Sequence, residues 1–201
     1  MKDILRSLTM SVIGSVGKSL FAIAILFLLF SEVFADAPSR FVQASTSDAN
    51  AIQDKSTGLY WQKCIYPMKW DTSGSTSQCK VPTPAPSGNY LNSSTMTWSQ
   101  ATNATKKICT WYGANWRVPT IAELKSLVER SQYNPALNSI FDPGAAAGGS
   151  SGNGIPDFFW TSTVYGADVS YAWTVNFYYG YIYHTSAKVN SYYLRCVANT
   201  P

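Results

Sequence analysis

The chemistry this chain offers is concentrated in residues 159–197, FWTSTVYGADVSYAWTVNFYYGYIYHTSAKVNSYYLRCV. Eight of the thirteen tyrosines, two of the seven tryptophans and the only histidine fall there, while one lysine, one aspartate and no glutamate lie between Trp160 and Arg195. Tyr and Trp provide large contact area at small entropic cost, and Ser, Asn and Gly provide adaptable hydrogen bonds, so the mixture is that of a binding surface. Proton transfer and metal ligation need other sets. His184 has no Cys or Ser nucleophile motif beside it, which reads as a polar contact residue rather than a general base. The four cysteines, Cys64, Cys79, Cys109 and Cys196, show no CxxC spacing, and His184 is the only other soft ligand, which argues against zinc. No metal or cofactor is expected. An even cysteine count in an exported chain reads as two disulfides. Three pairings are open. The favoured one joins Cys64 to Cys79 across a Gly/Ser/Thr-rich loop and leaves Cys109 to staple a helix end to the last strand through Cys196.

The elements that must position this stretch follow from pattern. Phe41-Val42-Gln43, Ala51-Ile52-Gln53 and Leu59-Tyr60-Trp61-Gln62 read as short strands, with residues 54–58 as a turn closed by Gly58. Residues 67–90 read as an irregular, proline-rich loop tied down by Cys64–Cys79. Thr97-Trp98-Ser99-Gln100 and Thr120-Ile121-Ala122-Glu123 are capping boxes. The first opens a helix with Trp98, Ala101, Ile108 and Tyr112 at helical spacing and Gly113 as its C-cap. The second opens a helix that should run to about Arg130, with Ile121, Leu124, Leu127 and Val128 on its apolar stripe. Residues 134–157 read as a glycine-rich loop. The period then becomes two. Residues 158–164 form a strand, Trp173, Val175 and Phe177 point to a core, residues 180–185 form a further strand, and residues 192–197 close the domain. The expected fold is α+β, loop-rich, with two helices packed on small antiparallel sheets.

Ahead of all this, Lys2, Arg6 and Lys18 precede an eleven-residue apolar run, residues 20–30, and Val33-Phe34-Ala35 is a small-x-small cleavage signal. Residues 1–35 therefore read as a secretory signal peptide, followed by a lead-in over residues 36–49 and a ligand-binding domain over residues 50–198. The apolar run is short of the roughly 20 residues that a membrane span needs, so membrane contact is expected only through the transient signal. Removing residues 1–35 takes away three of fifteen basic and two of eleven acidic residues, leaving twelve against nine, a net +3. That mild excess permits weak attraction to acidic glycans but forms no basic stripe of the nucleic-acid kind.

Several elements in order resemble those of one family. Thr57-Gly58-Leu59-Tyr60-Trp61-Gln62-Lys63-Cys64 resembles its "TGLxWQxC" opening, and Asn115-Trp116-Arg117-Val118-Pro119-Thr120 with Glu123-Leu124 resembles "WRLPTxxEL". Phe159-Trp160-Thr161-Ser162-Thr163 resembles "FWSST". Ala172-Trp173, Val175-Asn176-Phe177 and Leu194-Arg195-Cys196-Val197 resemble "AWxVxF…YVRCV". This is the family of the C-terminal domain of a collagen-like adhesin of Legionella. The resemblance implies a C-type-lectin-like fold, export to the extracellular space, cell surface or periplasm of a bacterium, and binding of sulfated polysaccharides. Some relatives are variable proteins of diversity-generating retroelements, whose rewritten C-terminal codons enrich Tyr, Ser, Asp, His and Asn. Tyr165, Asp168, Ser170, Tyr171, Tyr178, Tyr179, Tyr181, Tyr183, His184, Asn190, Ser191, Tyr192 and Tyr193 have that composition. The chain departs from the family's namesake in showing no collagen-like Gly-x-y region. It also shows no Glu-Pro-Asn-type calcium motif, so calcium-dependent sugar binding is not expected.

Two sets of residues are thus expected in the stretch. Trp160, Trp173, Val175, Phe177 and Cys196 should hold the sheet to the helices. Tyr165, Asp168, Tyr171, Tyr179, Tyr181, Tyr183, His184, Asn190, Tyr192 and Tyr193 should supply the face for an extracellular glycan, in particular a sulfated one, or a protein ligand, with no nucleic acid involved. Arg117 and Arg195 are expected to be structural hydrogen-bond donors. The alternatives are a structural subunit of an envelope or pilus-like assembly, and an enzyme of the formylglycine-generating type, which would require Cys109 or Cys196 as a free thiol.

Overall fold

The computed structural model describes residues 39–45, 48–75, 77–82, 95–103, 105, 108–132, 135–141 and 158–201. The expected signal peptide and the glycine-rich part of the loop from residue 142 to 157 lie outside the described residues. Among the described residues, nine strands and two short helices follow in order: β1 Phe41–Gln43, β2 Ala51–Asp54, β3 Tyr60–Gln62, β4 Lys69–Asp71, β5 Gln78–Lys80, α1 Trp98–Ala101, a 3-10 turn Ile108–Trp111, α2 Ile121–Lys125, β6 Phe158–Val164, β7 Tyr171–Asn176, β8 Tyr181–Ala187 and β9 Val197–Ala198. They make a four-stranded antiparallel sheet in the order β1-β2-β3-β9, a two-stranded ribbon β4-β5, and a three-stranded antiparallel sheet β6-β7-β8. The described residues are mostly β-sheet with few helices.

The β2–β3 turn shows why the first sheet closes where it does. Asp54 is fully buried and accepts from Ser56 N–H at 3.0 Å, Ser56 Oγ at 2.7 Å and Thr57 Oγ1 at 2.8 Å. Gly58 takes φ +74°, a left-handed conformation that side chains disfavour, and donates its N–H to Asp54 O at 2.8 Å. Arg40 clamps the same carboxylate through Nε at 2.9 Å and Nη2 at 2.6 Å. Burial pushes the Asp54 carboxyl up, but the hydrogen bonds from Arg40, Ser56 and Thr57 outweigh it and bring the pKa down to about 2.

Both helices are shorter than their apolar periodicity predicts. The capping boxes form as expected, at Thr97 with Gln100 and at Thr120 with Glu123. The first helix stops at Ala101 because Thr102 turns its Oγ1 back onto Trp98 O at 2.8 Å and Asn103 Oδ1 accepts from Thr105 N–H at 2.9 Å. These local side-chain bonds compete with the helical ladder. Ile108 and Tyr112 therefore reach the core from and just beyond a separate 3-10 turn. α2 stops at Lys125 because the chain beyond it becomes sheet-like: Val128 bridges Leu137, and Glu129 N–H donates to Ala136 O at 3.0 Å.

The second sheet also departs from simple alternation. β7 is its central strand, and Ala172, Thr174, Val175 and Asn176 are all buried. Val175 packs with Phe159, Phe177, Leu124 and Leu127 in one core cluster. Ala172 packs with Trp160, Trp116 and Leu194 in a second. The buried hydroxyls of Thr174 and Ser186 satisfy each other at 2.7 Å. Trp173, expected in the core, is only half-buried. Register shifts on both sides of it, between Trp160 and Val164 on β6 and between Ala172 and Thr174 on β7, displace it from the core alternation.

The closing segment does not form one strand over residues 192–197. Tyr192 bridges Met96, Tyr193 bridges Phe159 in parallel, and only Val197–Ala198 is a strand, paired to β3 in the first sheet. The segment stitches the two sheets together. Cys64–Cys79 and Cys109–Cys196 are the disulfides formed, and there is no free cysteine. Among the described residues no helix is long and apolar enough to cross a membrane.

Candidate functional site

β8 leaves a tight turn at Gly180, whose φ of +76° lets the chain reverse. Gly180 N–H donates to Asn176 O at 2.8 Å, and buried Asn176 Oδ1 accepts from Tyr179 N–H at 3.0 Å. Ala136 N–H donates to Phe177 O at 2.8 Å and so fixes the start of the turn. The turn is therefore held from beneath, and it projects its tyrosines outward. Tyr178 and Tyr179 sit in the turn rather than in an extended strand, and their rings meet edge to face at 4.5 Å.

From there the rings run in series. Tyr179 stacks on Tyr181 at 5.6 Å with 14° between planes, and Tyr181 meets Tyr183 at 6.4 Å. Tyr183 meets Phe158 at 5.1 Å, Phe158 meets Tyr192 at 5.1 Å, and Tyr192 meets Trp160 at 4.7 Å. The outer end is open, with Tyr179 49%, Tyr181 57% and Tyr183 37% exposed. The inner end is locked, with Trp160 fully buried and its Nε1 donating to Met96 O at 2.7 Å. A solvent-facing aromatic ladder thus grows out of a rigid core. Its rings offer flat apolar faces and phenolic hydroxyls, suited to stacking on sugar rings or aromatic side chains.

The structure does not bring all the expected site residues to that ladder. Tyr165 and His184 lie with Trp173 on the other face of the sheet, Tyr165–His184 at 4.6 Å and Trp173–His184 at 5.3 Å. Along β8 Tyr181 and Tyr183 point one way and Ile182 and His184 the other, as the strand period demands. Tyr193 is half-buried against Phe159 at 5.7 Å, packed on the first core cluster, whereas Tyr192 belongs to the ladder. Asn190 Nδ2 donates to Tyr192 Oη at 2.9 Å and so orients the ladder's inner end. Asp168 is exposed in the β6–β7 loop and accepts from Ser170 N–H at 2.8 Å, a turn-forming role. Tyr171 opens β7 half-buried. Sequence reasoning missed Phe158, the link between the outer and inner rings, and its position at the first residue of a strand was the available signal.

The two arginines are engaged in the framework. Arg117 forms a two-pronged pair with Glu123 at 2.9 and 2.6 Å and reaches Asn199 at 3.1 Å. This pairing lowers the Glu123 pKa and raises that of Arg117. Arg195 is fully buried, with Nη1 donating to Gln62 O at 2.6 Å and to Lys63 O at 2.5 Å. Among the described residues no group of three or more His, Cys, Asp or Glu side chains is placed to hold a metal ion.

A small β-rich domain with two disulfides and an aromatic ladder on its outer sheet is the class these observations define. The chain belongs to the Lcl C-terminal domain family, whose family model matches residues 50–198. Neither the curated proteins nor the solved structures give a match. The family is that of an adhesin-like surface domain, and the disulfides are consistent with an exported protein.

Proposed function

We propose that this chain is an exported, adhesin-like binding domain of C-type-lectin-like fold that recognises an extracellular glycan or protein through Tyr179, Tyr181 and Tyr183. The observation that carries this reading is the ring ladder from half-exposed Tyr179 to buried Trp160. Exposed aromatic side chains that touch one another and are anchored at one end lose little entropy when a ligand docks, so more of the contact energy survives as affinity. The domain acts by binding and not by turnover. Both sulfurs that a formylglycine-type enzyme would use are tied in Cys109–Cys196. The modest positive charge adds a salt-sensitive component for sulfated sugars. Export follows from the N-terminal signal, and no nucleic acid takes part.

A glycan array probed with the chain at two salt concentrations tests the ligand class. Hits on sulfated sugars that fade at the higher salt support the glycan arm. A blank array moves the ligand to a protein, and a panel of hits that Tyr179→Ala leaves unchanged contradicts the proposed face.

A further inference from the structure

β8 is the edge strand of its sheet, and Tyr181, Ile182, Tyr183, His184 and Thr185 are exposed in unbroken succession. A strand with one face on a core alternates between buried and exposed residues. Five exposed residues in a row, across a register shift that follows Tyr183, bring side chains of both faces to the surface, and no described strand pairs with the outer edge of β8. Among the described residues the edge is occupied only past its end, where Lys188 O accepts from Trp98 N–H at 3.1 Å. Native edges are commonly protected by charged side chains, proline or bulges; the β8 sequence YIYHTSA has no Lys, Arg, Asp, Glu or Pro, and its register shift falls after Tyr183, leaving Tyr181–Tyr183 in regular pairing with β7.

On the Ile182 side, a cleft of about 220 Å³ lies between β8 and the turn that follows α2, lined by Lys125, Ser126, Val128, Arg130, Gly180 and Ile182. Lys125 and Arg130 are exposed and in no ion pair among the described residues. Ser126 Oγ is buried there without a hydrogen-bond partner. Gly180 keeps the cleft's end tight, since a Cβ there would come within 3.1 Å of Val128 and Ala136.

We propose that the β8 edge is a strand-addition site for an extended acidic peptide segment of a partner protein. The segment's main chain pairs with the open edge, which supplies affinity, and its alternate side chains supply specificity. Residues two apart on a strand lie about 6.6 Å apart on one face, so one set of side chains falls toward Lys125 and Arg130 and selects carboxylates. The other set lies along Tyr181 and Tyr183. A second copy of β8 carries no acidic residue and would leave both cations unanswered. A polysaccharide has no strand backbone to pair. The site borders the ring-stacking face at Tyr181 and Tyr183 and differs from it in drawing its affinity from the backbone edge and its charge selection from the cleft.

The probe is a fluorescein-labelled peptide of alternating Thr and Glu, titrated into the full chain by fluorescence polarisation, with amide hydrogen exchange read on β8. The expected result is saturable binding with slowed exchange at alternate β8 amides. Methylating the peptide's edge-facing backbone nitrogens weakens binding at least tenfold, as does K125E/R130E, while the Thr/Lys peptide does not bind. An unchanged melting temperature shows that K125E/R130E remains folded. Equal binding of the methylated peptide, or no binding of the Thr/Glu peptide, overturns the proposal. So does concentration-dependent protection of β8 in the protein alone with a dimeric mass, which assigns the edge to a second copy. Failure here leaves the aromatic-face reading standing, because that reading is tested by tyrosine variants and does not involve Lys125 or Arg130.

Discussion

Tyr179, Tyr181 and Tyr183 can be lost without loss of the fold, because their rings contact each other and solvent more than they contact the core. Replacing all three with Ala is expected to cost no more than about 2 kcal/mol of stability, checked by thermal melting. Trp160→Ala is expected to cost about 3–5 kcal/mol, because it empties a fully buried site and removes one of the two hydrogen bonds to Met96 O, which keeps the N–H of Tyr192. Asp54 gives a pH dependence of determined sign. Its folded pKa of about 2 lies below the unfolded value of roughly 3.9. The stabilisation is therefore fully present above pH 4 and is lost as pH falls toward 2, an effect of about 2 kcal/mol. Melting temperatures measured from pH 5 to 2 should fall, and Asp54→Asn should start lower and fall less over the same range. The tyrosine positions were legible in the sequence from their density and the strand period. Their division between two faces was only half legible, because the register shifts that displace Trp173 toward Tyr165 and His184 arise from cross-strand pairing.

At the scale of elements, the β7–β8 turn is the part that aims the ladder. Gly180→Ala combines a left-handed φ of +76° with a Cβ that meets Ala136 and Val128 side chains at 3.1 Å. A loss of about 1–3 kcal/mol is expected, with weakened ligand binding even where the protein remains folded, checked by melting and by titration in parallel. β6 and the β2–β3 hairpin were readable because alternation, β-branched and aromatic residues and the Asp54–Gly58 turn signals agree with the final packing. The helices were readable at their starts and not at their ends. Capping boxes are local chemistry, whereas α2 ends through the pairing of Val128 with Leu137, which joins residues nine apart. The first helix ends through Thr102 and Asn103, residues whose back-bonding competes with a helix that the apolar period alone favours.

At the scale of the molecule, the two disulfides hold different spans of chain. Cys109–Cys196 bridges residues 87 apart and Cys64–Cys79 residues 15 apart. On loop entropy alone the longer bridge stabilises by about 4–5 kcal/mol and the shorter by about 3 kcal/mol. Denaturant unfolding of the two paired Cys→Ser variants should rank them in that order. The closing segment gives the longer bridge its importance, since Tyr192, Tyr193 and Val197 tie the outer sheet, Met96 and the first sheet together. The ladder is therefore presented by a framework whose rigidity comes from the chain's last residues. The central claim is that this framework exists to display the rings. Its most direct test compares the wild-type chain with Y179A/Y181A/Y183A on one immobilised array of sulfated and neutral glycans and surface proteins, with melting curves recorded for both. The variant is expected to lose at least tenfold in binding to every wild-type hit while its melting temperature shifts by only a few degrees. Binding retained by a folded triple variant would contradict it.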